Sequence, residues 1–412
     1  MKKKIGKTAF VLWGATDIGP PYFSADILWR TGFKTPDPFF LVDILDEVDL
    51  IDFGKSYLLI GPLEVERAAE ETEKGIEIVN TYDYKTKSRG YLENFLKKQG
   101  VKKVIVPDTF PCGLKDKLAN VFEVTKASPP FYPKRAIKTD LEIQEIEKAQ
   151  RAVEKAVKKG VDYLRSCQII NNKIIYVNEF GDKGNVATSE SLRKIIDTEL
   201  YRQGYLGIRS IVACGKQAAN PHCEGSGPLY AHQPIVMDIF PLSMETHYWA
   251  DMTRTVFKGE PSQALKNMYE TVLHAQEMGV NQVRAGRDGK EIYDWTLDYF
   301  KVHGYPTNMK TRPARNATHS VAGGPMEGFI HGVGHGVGID IHEPPWITSI
   351  KWILQEGNVV TVEPGLYYQK ARTAPAPIPA GGIRIEDMVL VTKTGCRNLT
   401  QFPKDLESVI IP

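Results

Sequence analysis

The stretch IVMDIFPLSMETHYWADMTRTVF, residues 235–257, decides how the chain is read. Two apolar runs, IVMDIF and YWADMTRTVF, flank the link PLSMETH, and each carries an aspartate among apolar neighbours, Asp238 and Asp251. This pattern predicts two antiparallel strands. A pairing centred between Met244 and Glu245 sets Asp238 opposite Asp251, with Cβ atoms about 5 Å apart. Carboxylates that close repel unless a cation lies between them, and burial without a counter-charge is costly. The plain alternative, a surface hairpin with two solvated aspartates, is disfavoured by the apolar flanks.

Further along lies HGVGHGVGIDIHEPP, residues 331–345, where glycine alternates with histidine or valine. His331 and His335 share a face of an extended strand, whereas the odd step to His342 requires a bend. Glycine in such a strand permits close approach of another backbone. The run is not GxGxxG, which disfavours a phosphate loop, and HEPPW lacks the second histidine of HExxH. Glu363 ends the strand NVVTVE. Glu386 sits in GIRIEDMVLV with Arg384 two residues earlier on the same face. Arg384 either pairs with Glu386 or faces a substrate carboxyl or carbonyl. Four carboxylates and one imidazole from five strands suit hard or borderline divalent ions better than the Cys/His sets of structural zinc. Their charge of −4 is neutralised by two divalent ions, with a water between them whose pKa falls to about 7. The economical reading is a dinuclear hydrolase.

The rest of the chain frames that site. With 412 residues, 42% apolar and 25% charged, it is too long for one ordinary core and predicts two unequal domains. Lys and Arg number 52 against 50 Asp and Glu, with no basic block beyond the opening MKKK, so nucleic-acid and membrane-surface partners are excluded. AFVLWGA at residues 9–15 reads as a first strand, not a secretory signal or a membrane span. Five cysteines without a CxxC pair fit reduced thiols in a cytoplasm.

From Phe10 to Ser128, the β-rich runs AFVLWG, PFFLV, SYLLIG and KKVIVP alternate with polar helical stretches, predicting an α/β domain. The joint SPPFYPKRAIK leads to Thr139, where TDLE is a capping-box signature ahead of Ile143, Ile146, Ala149, Val153 and Val157. The second domain carries a degenerate repeat: two helices expected to end at Gly160-Val161 and Gly279-Val280, and two at Gly204-Tyr205 and Gly304-Tyr305, each glycine suiting a left-handed cap. The first half is about 19 residues longer, and QIINNKIIYVNEFGDKGN reads as an inserted hairpin.

Taken together, IVACGKQAANPHCEG (211–225), Asp238, YWADMTRT, HGVGHGVGIDIHEPP, TVEPGLYY and GIRIEDMVLVT resemble the pita-bread metallopeptidases, which include methionine aminopeptidase, aminopeptidase P and prolidase. The resemblance implies an α/β creatinase-like domain over residues 1–137 and an α+β pita-bread catalytic domain with an internal pseudo-twofold repeat over 138–412. It implies that Asp238 chelates one metal, that His335 and Glu363 bind the other, and that Asp251 and Glu386 bridge the two. Manganese is the expected ion, with cobalt, zinc or iron able to occupy the same ligands. His222 and His342 are implied beside the scissile group, His331 lining the pocket, and Arg384 near substrate or supporting Glu386. ILWRTGF, DPFFLV and the RIE triplet resemble the X-Pro branch, which implies an Xaa-Pro aminopeptidase acting on proline-containing peptides as a homodimer. A strict Xaa-Pro dipeptidase shares every ligand. A catalytically silent binding module on the same fold is the rival of another class, and a metal-free amidinohydrolase is a third. The chain departs from the family pattern in three places: the loop between Asp238 and Asp251, the insertion near residues 167–185, and the polar connection TNMKTRPARNATHSVAGG before Phe329.

Overall fold

The computed structural model describes residues 7–17, 19, 22–45, 54–85, 90–127, 130–177, 183–307, 327–371 and 378–412. Most of TNMKTRPARNATHSVAGG lies outside these residues. The chain divides into two compact units, Met1–Arg135 and Ala136–Pro412.

The first unit holds strands β1 (Lys7–Gly14), β2 (Phe39–Leu45), β3 (Lys55–Ile60), β4 (Ile76–Asn80), β5 (Val101–Pro107) and β6 (Glu123–Ala127), with helices α1 (Ala25–Thr31), α2 (Val65–Glu71), α3 (Tyr91–Lys98) and α4 (Cys112–Ala119). The strands form one mixed sheet in the order β4-β3-β2-β1-β5-β6. Alternation along β2 explains its burial on both faces. Phe40, Val42 and Ile44 join one core with Phe95, Leu96 and Val104, while Phe39 and Leu41 join the other with Ile27 and Phe33. AFVLWG lies within β1, and the other three β-rich runs fall on β2, β3 and β5.

The second unit opens with α5 (Asp140–Ser166), whose expected capping box is present: Thr139 Oγ1 accepts from Glu142 N, and Glu142 Oε2 accepts from Thr139 N at 2.7 Å. There follow β7 (Cys167–Ile170), β8 (Lys173–Val177), β9 (Lys183–Val186), α6 (Ser189–Arg202), β10 (Tyr205–Gly207), β11 (Ile211–Cys214), β12 (Pro234–Ile239), β13 (Pro241–Ser243) and β14 (Met252–Lys258). Then come α7 (Gln263–Gln282), α8 (Gly289–Val302), β15 (Gly334–Gly336), β16 (Glu343–Ile347), β17 (Val359–Val362), β18 (Gly365–Tyr368), β19 (Gly381–Arg384), β20 (Asp387–Val391) and β21 (Cys396–Asn398). β11, β12 and β14 lie side by side in one sheet, and a second has the order β16-β15-β17-β20-β21.

Three expectations are corrected. Gly160 and Gly279 do not end their helices, since α5 and α7 run on to Ser166 and Gln282. They serve packing instead: a Cβ on Gly160 would stand 3.1 Å from Leu192 and Ile196, and one on Gly279 would stand 2.9 Å from Val362. The expected left-handed caps do occur at Gly204 and Gly304. The inserted segment is a three-stranded antiparallel sheet, β7-β8-β9, larger than a hairpin; its first turn, Asn171-Asn172, has positive φ at both positions as a type I′ turn requires. Finally, β12 and β14 pair with Asp238 opposite Thr253, not Asp251. The link is no simple hairpin loop, because Pro241–Ser243 leaves to pair with Tyr205–Gly207. That detour shifts the register by two residues, which preserves the face, so Asp238 and Asp251 still point the same way.

Candidate metal centre

Asp238 on β12 and Asp251, the residue just before β14, come from the first sheet, and the second sheet supplies the remaining acids and the imidazole. His335 lies in the middle of β15, Glu363 follows β17, and Glu386 precedes β20. Glycine makes this convergence possible. A Cβ at Gly334 would stand 2.0 Å from the Thr361 carbonyl oxygen, so a side chain there would force β15 away from β17.

Donor atoms of Asp251, His335 and Glu386 all lie within 4.8 Å of one another, and the three residues are buried. His335 Nε2 stands 3.7 Å from Asp251 Oδ2 and 3.4 Å from Glu363 Oε1. Its Nδ1 faces the Gly336 carbonyl at 3.1 Å. A carbonyl only accepts, so Nδ1 carries the hydrogen and Nε2 offers its lone pair to the acids. Burial, then the neighbouring His342, pushes the His335 pKa down to about 3 and keeps the ring neutral.

The acids behave as a group short of positive charge. Burial raises the Asp251 carboxyl well above its ordinary range, and Glu386, Asp238 and Glu363 push it further. Glu363 is raised in the same way by burial and by Glu386. Burial and Asp238 lift Glu386 to about 8. Asp251 Oδ1 is buried with no hydrogen-bond partner among the described residues. Buried carboxylate oxygens, one left orphaned, beside an imidazole lone pair are a donor set that fits a divalent cation.

Arg384 is the cation facing this cluster, and its partners differ from the expected one. It does not pair directly with Glu386. Nη2 donates to Asp238 Oδ2 at 2.5 Å, Nη1 to the Tyr367 hydroxyl at 3.0 Å, and Nε to Thr253 Oγ1 at 3.1 Å. Thr253 in turn donates to Glu386 Oε2 at 2.9 Å, so support for Glu386 runs through a hydroxyl. The break between β19 and β20 explains this, because the two residues do not lie on one regular strand.

Of the remaining histidines, His331 has Nδ1 at 2.7 Å from the Gly332 carbonyl and Nε2 at 2.8 Å from the Tyr367 hydroxyl. The order of donation is therefore Arg384 to Tyr367 to His331, and both His331 nitrogens are taken. Burial and then Arg384 hold its pKa at about 3. The expected bend occurs between β15 and β16 and folds His342 back, its ring centroid 4.3 Å from that of His335 at 82°. His342 is pushed down by burial, while Asp238 opposes that push. His222 is exposed in a turn whose entry is fixed by Asn220 Oδ1 accepting its backbone N–H, and it lies within electrostatic reach of both His331 and His342. All nine of the histidines, acids and arginine singled out beforehand thus lie in or beside one cluster. Sequence reasoning missed Thr253 and Tyr367. Thr253 had a legible signal, standing two residues beyond Asp251 on the same strand face. Tyr367 had none, because its importance lies in joining His331 to Arg384, which the pairing of β18 with β19 brings alongside it.

The profile of metallopeptidase family M24 matches residues 144–393. Two curated relatives, each named Xaa-Pro dipeptidase, come from Pyrococcus horikoshii and Pyrococcus furiosus. The first is 29% identical over 87% of this chain and 87% of its own length, the second 30% over 87% and 88%. Among solved structures, the prolidase from Pyrococcus furiosus superposes with a TM-score of 0.70 at 24% identity, covering 97% of each chain. The fold is accordingly an amino-terminal α/β domain followed by a pita-bread domain, and the chain belongs to metallopeptidase family M24.

Proposed function

We propose that the chain is an Xaa-Pro aminopeptidase, hydrolysing the bond between an amino-terminal residue and the proline that follows it. The observation that carries the reading is the group of four carboxylates, two buried and two half-buried, and a buried imidazole faced by Arg384, in a chain whose curated relatives bear the name Xaa-Pro dipeptidase. Asp238, Asp251, His335, Glu363 and Glu386 would hold two divalent ions, manganese first, with Asp251 and Glu386 shared between them. When bound, such ions acidify water and polarise a carbonyl.

The residues of the chain do the rest. Glu363 takes the proton of the attacking water and passes it to the proline nitrogen. That nitrogen has no N–H of its own, so the peptide cannot lie as a regular strand and requires a dedicated pocket. His222 and His342 serve the substrate carbonyl and the leaving group, one or the other donating a hydrogen bond to the developing oxyanion. Tyr367 keeps His331 and Arg384 fixed as a wall, and Arg384 orients Asp238 and, through Thr253, Glu386.

The domains carrying these roles are taken as residues 1–137 and 138–412, close to where the contacts divide the chain. A homodimer in a reducing cytoplasm completes the proposal; five free thiols support the compartment. Among the described residues no helix is long and apolar enough to cross a membrane.

A second reading, a strict Xaa-Pro dipeptidase, is favoured by the names of the two Pyrococcus relatives. Hydrolysis of a tripeptide X-Pro-Y compared with a dipeptide X-Pro by manganese-loaded protein separates the two. Faster tripeptide turnover supports the aminopeptidase, and turnover of the dipeptide alone supports the rival. Metal analysis of the same preparation should return two ions per chain. A protein that binds no divalent ion and cleaves neither peptide is a silent binding module. Sedimentation checks the dimer: a strictly monomeric active enzyme rejects it.

A further inference from the structure

A cavity of about 560 Å³ opens against the loop that carries His222. Asn220 and Cys223, on either side of His222, line it, as does Gln369, two residues beyond Tyr367. Gln369 Nε2 donates to the Ala219 carbonyl at 2.9 Å, which ties this wall to the His222 loop. The lining also includes Asn172, from the turn of the inserted sheet; a bridge between Lys173 and Tyr230 holds that turn in place. The insertion that departs from the family pattern therefore shapes a space beside a residue assigned to the reacting carbonyl.

The chemistry of the walls is one-sided. Five of the ten lining residues are Asn or Gln, one is Lys216, and none is a carboxylate. Gln217 is spent on the Ser226 backbone and Gln369 Nε2 on the Ala219 carbonyl, which leaves the amides of Asn172 and Gln233 to pair with the N–H and C=O groups of an extended peptide. A protonated α-amine would find no counter-charge among these lining residues. A terminal carboxylate would find Lys216. The volume lies within the range of about 300–1,000 Å³ usual for small-ligand sites.

We propose that this cavity is the subsite for the part of the substrate beyond the proline, and that Lys216 pairs with the carboxylate of a short X-Pro-Y peptide. The inference rests on the Xaa-Pro reading and extends it to the leaving side. It makes Lys216 a specificity residue for short peptides over long or amidated ones, and Asn172 a contribution of the insertion to substrate selection. Because Lys216 is exposed, the pair is screened by water and its effect is modest.

The test uses metal-loaded full-length protein, the tripeptide X-Pro-Y as free acid and as carboxy-terminal amide, and the variants Lys216→Gln, Lys216→Glu and Lys216→Arg. The ratio of kcat/KM for acid to amide should be about fivefold in the native protein and stay there in Lys216→Arg. It should fall to near one in Lys216→Gln and invert in Lys216→Glu, with the change carried by KM. A ratio unaltered across all four proteins, or equal to one in the native enzyme, overturns the subsite while leaving the Xaa-Pro activity standing. Absence of cleavage of every Xaa-Pro peptide by the native enzyme would instead sink that activity, and the subsite with it.

Discussion

Glu386 and Asp387 are consecutive residues, both almost wholly buried, and they titrate in opposite directions. Glu386 is lifted to about 8 by burial and by Asp238. Asp387 meets the same burial but is held below its ordinary value, because Arg254 and Lys404 outweigh it. Arg254 Nη2 donates to Asp387 Oδ1 at 2.8 Å, Lys404 Nζ to Oδ2 at 2.6 Å, and Asn398 Nδ2 to Oδ2 at 2.9 Å. The remaining Arg254 donors bind main-chain oxygens, including those of Thr253 and Glu386. Burial alone therefore does not mark a functional acid. One face of the strand is electrically complete within the chain, and the other is completed only by added cations.

The sharpest way to break this contrast is to remove the cations. Chelation should abolish peptide hydrolysis, and readdition of manganese should restore it. Asp251→Asn and Glu386→Gln should each lower kcat/KM by more than about 10³, well beyond Arg384→Ala, by the usual scale of lost transition-state electrostatics. Equal and mild losses would show that these acids are not shared ligands.

Stability should respond with opposite sign at the two neighbours. Asp387→Asn leaves Arg254 and Lys404 buried without their anion, and denaturant unfolding should show a loss of about 3 kcal/mol. Glu386→Gln in metal-free protein removes a repelled carboxylate and should raise the melting temperature. A fall in both would remove the distinction between the two faces.

His222→Ala and His342→Ala should each reduce kcat by about 10² while metal content is unchanged. A drop in melting temperature with kcat intact would make them structural histidines.

The smallest effect concerns pH. The folded state binds the Glu386 proton more tightly than the unfolded state does, so its stabilising share is full at low pH and is lost as pH rises through about 8. His331 and His335, held near 3, act in the other direction, but above about pH 6.5 they are neutral in both states and drop out. Metal-free protein should thus lose about 1–2 kcal/mol between pH 6.5 and 8, and metal saturation should flatten that slope. Melting curves in chelator and in manganese across that range provide the check.

What could be read beforehand was the set of residue types and their strand faces. Acids among apolar neighbours at Asp238, Asp251 and Glu386 are locally anomalous, and an anomaly of composition survives a two-residue error in register. The register itself was not legible, since it depends on Pro241–Ser243 pairing with Tyr205–Gly207, a choice made by a strand some 35 residues upstream. Partner identity was equally hidden. Arg384 reads as a neighbour of Glu386 along the chain, yet its guanidinium is spent on Asp238, Thr253 and Tyr367. Gly160 reads as a helix end because glycine often caps helices; only the packing of Leu192 and Ile196 against it shows another use.

The first helix of the pita-bread unit is clasped by the segment 397–401. Gln150 donates to Thr400 Oγ1 at 3.0 Å, 250 positions later, Glu154 accepts the backbone N–H of Gln401, Arg151 holds the Leu399 carbonyl, and Arg397 reaches Glu147. During synthesis that helix emerges long before its clasp, so a nascent chain carries Asp238 and Asp251 outside the ribosome while the 397–401 clasp of α5 is still untranslated. Domains complete their folding as units. A half-made chain of this enzyme is therefore no half-active peptidase: the hydrolytic centre is withheld until residues 397–401 have been added.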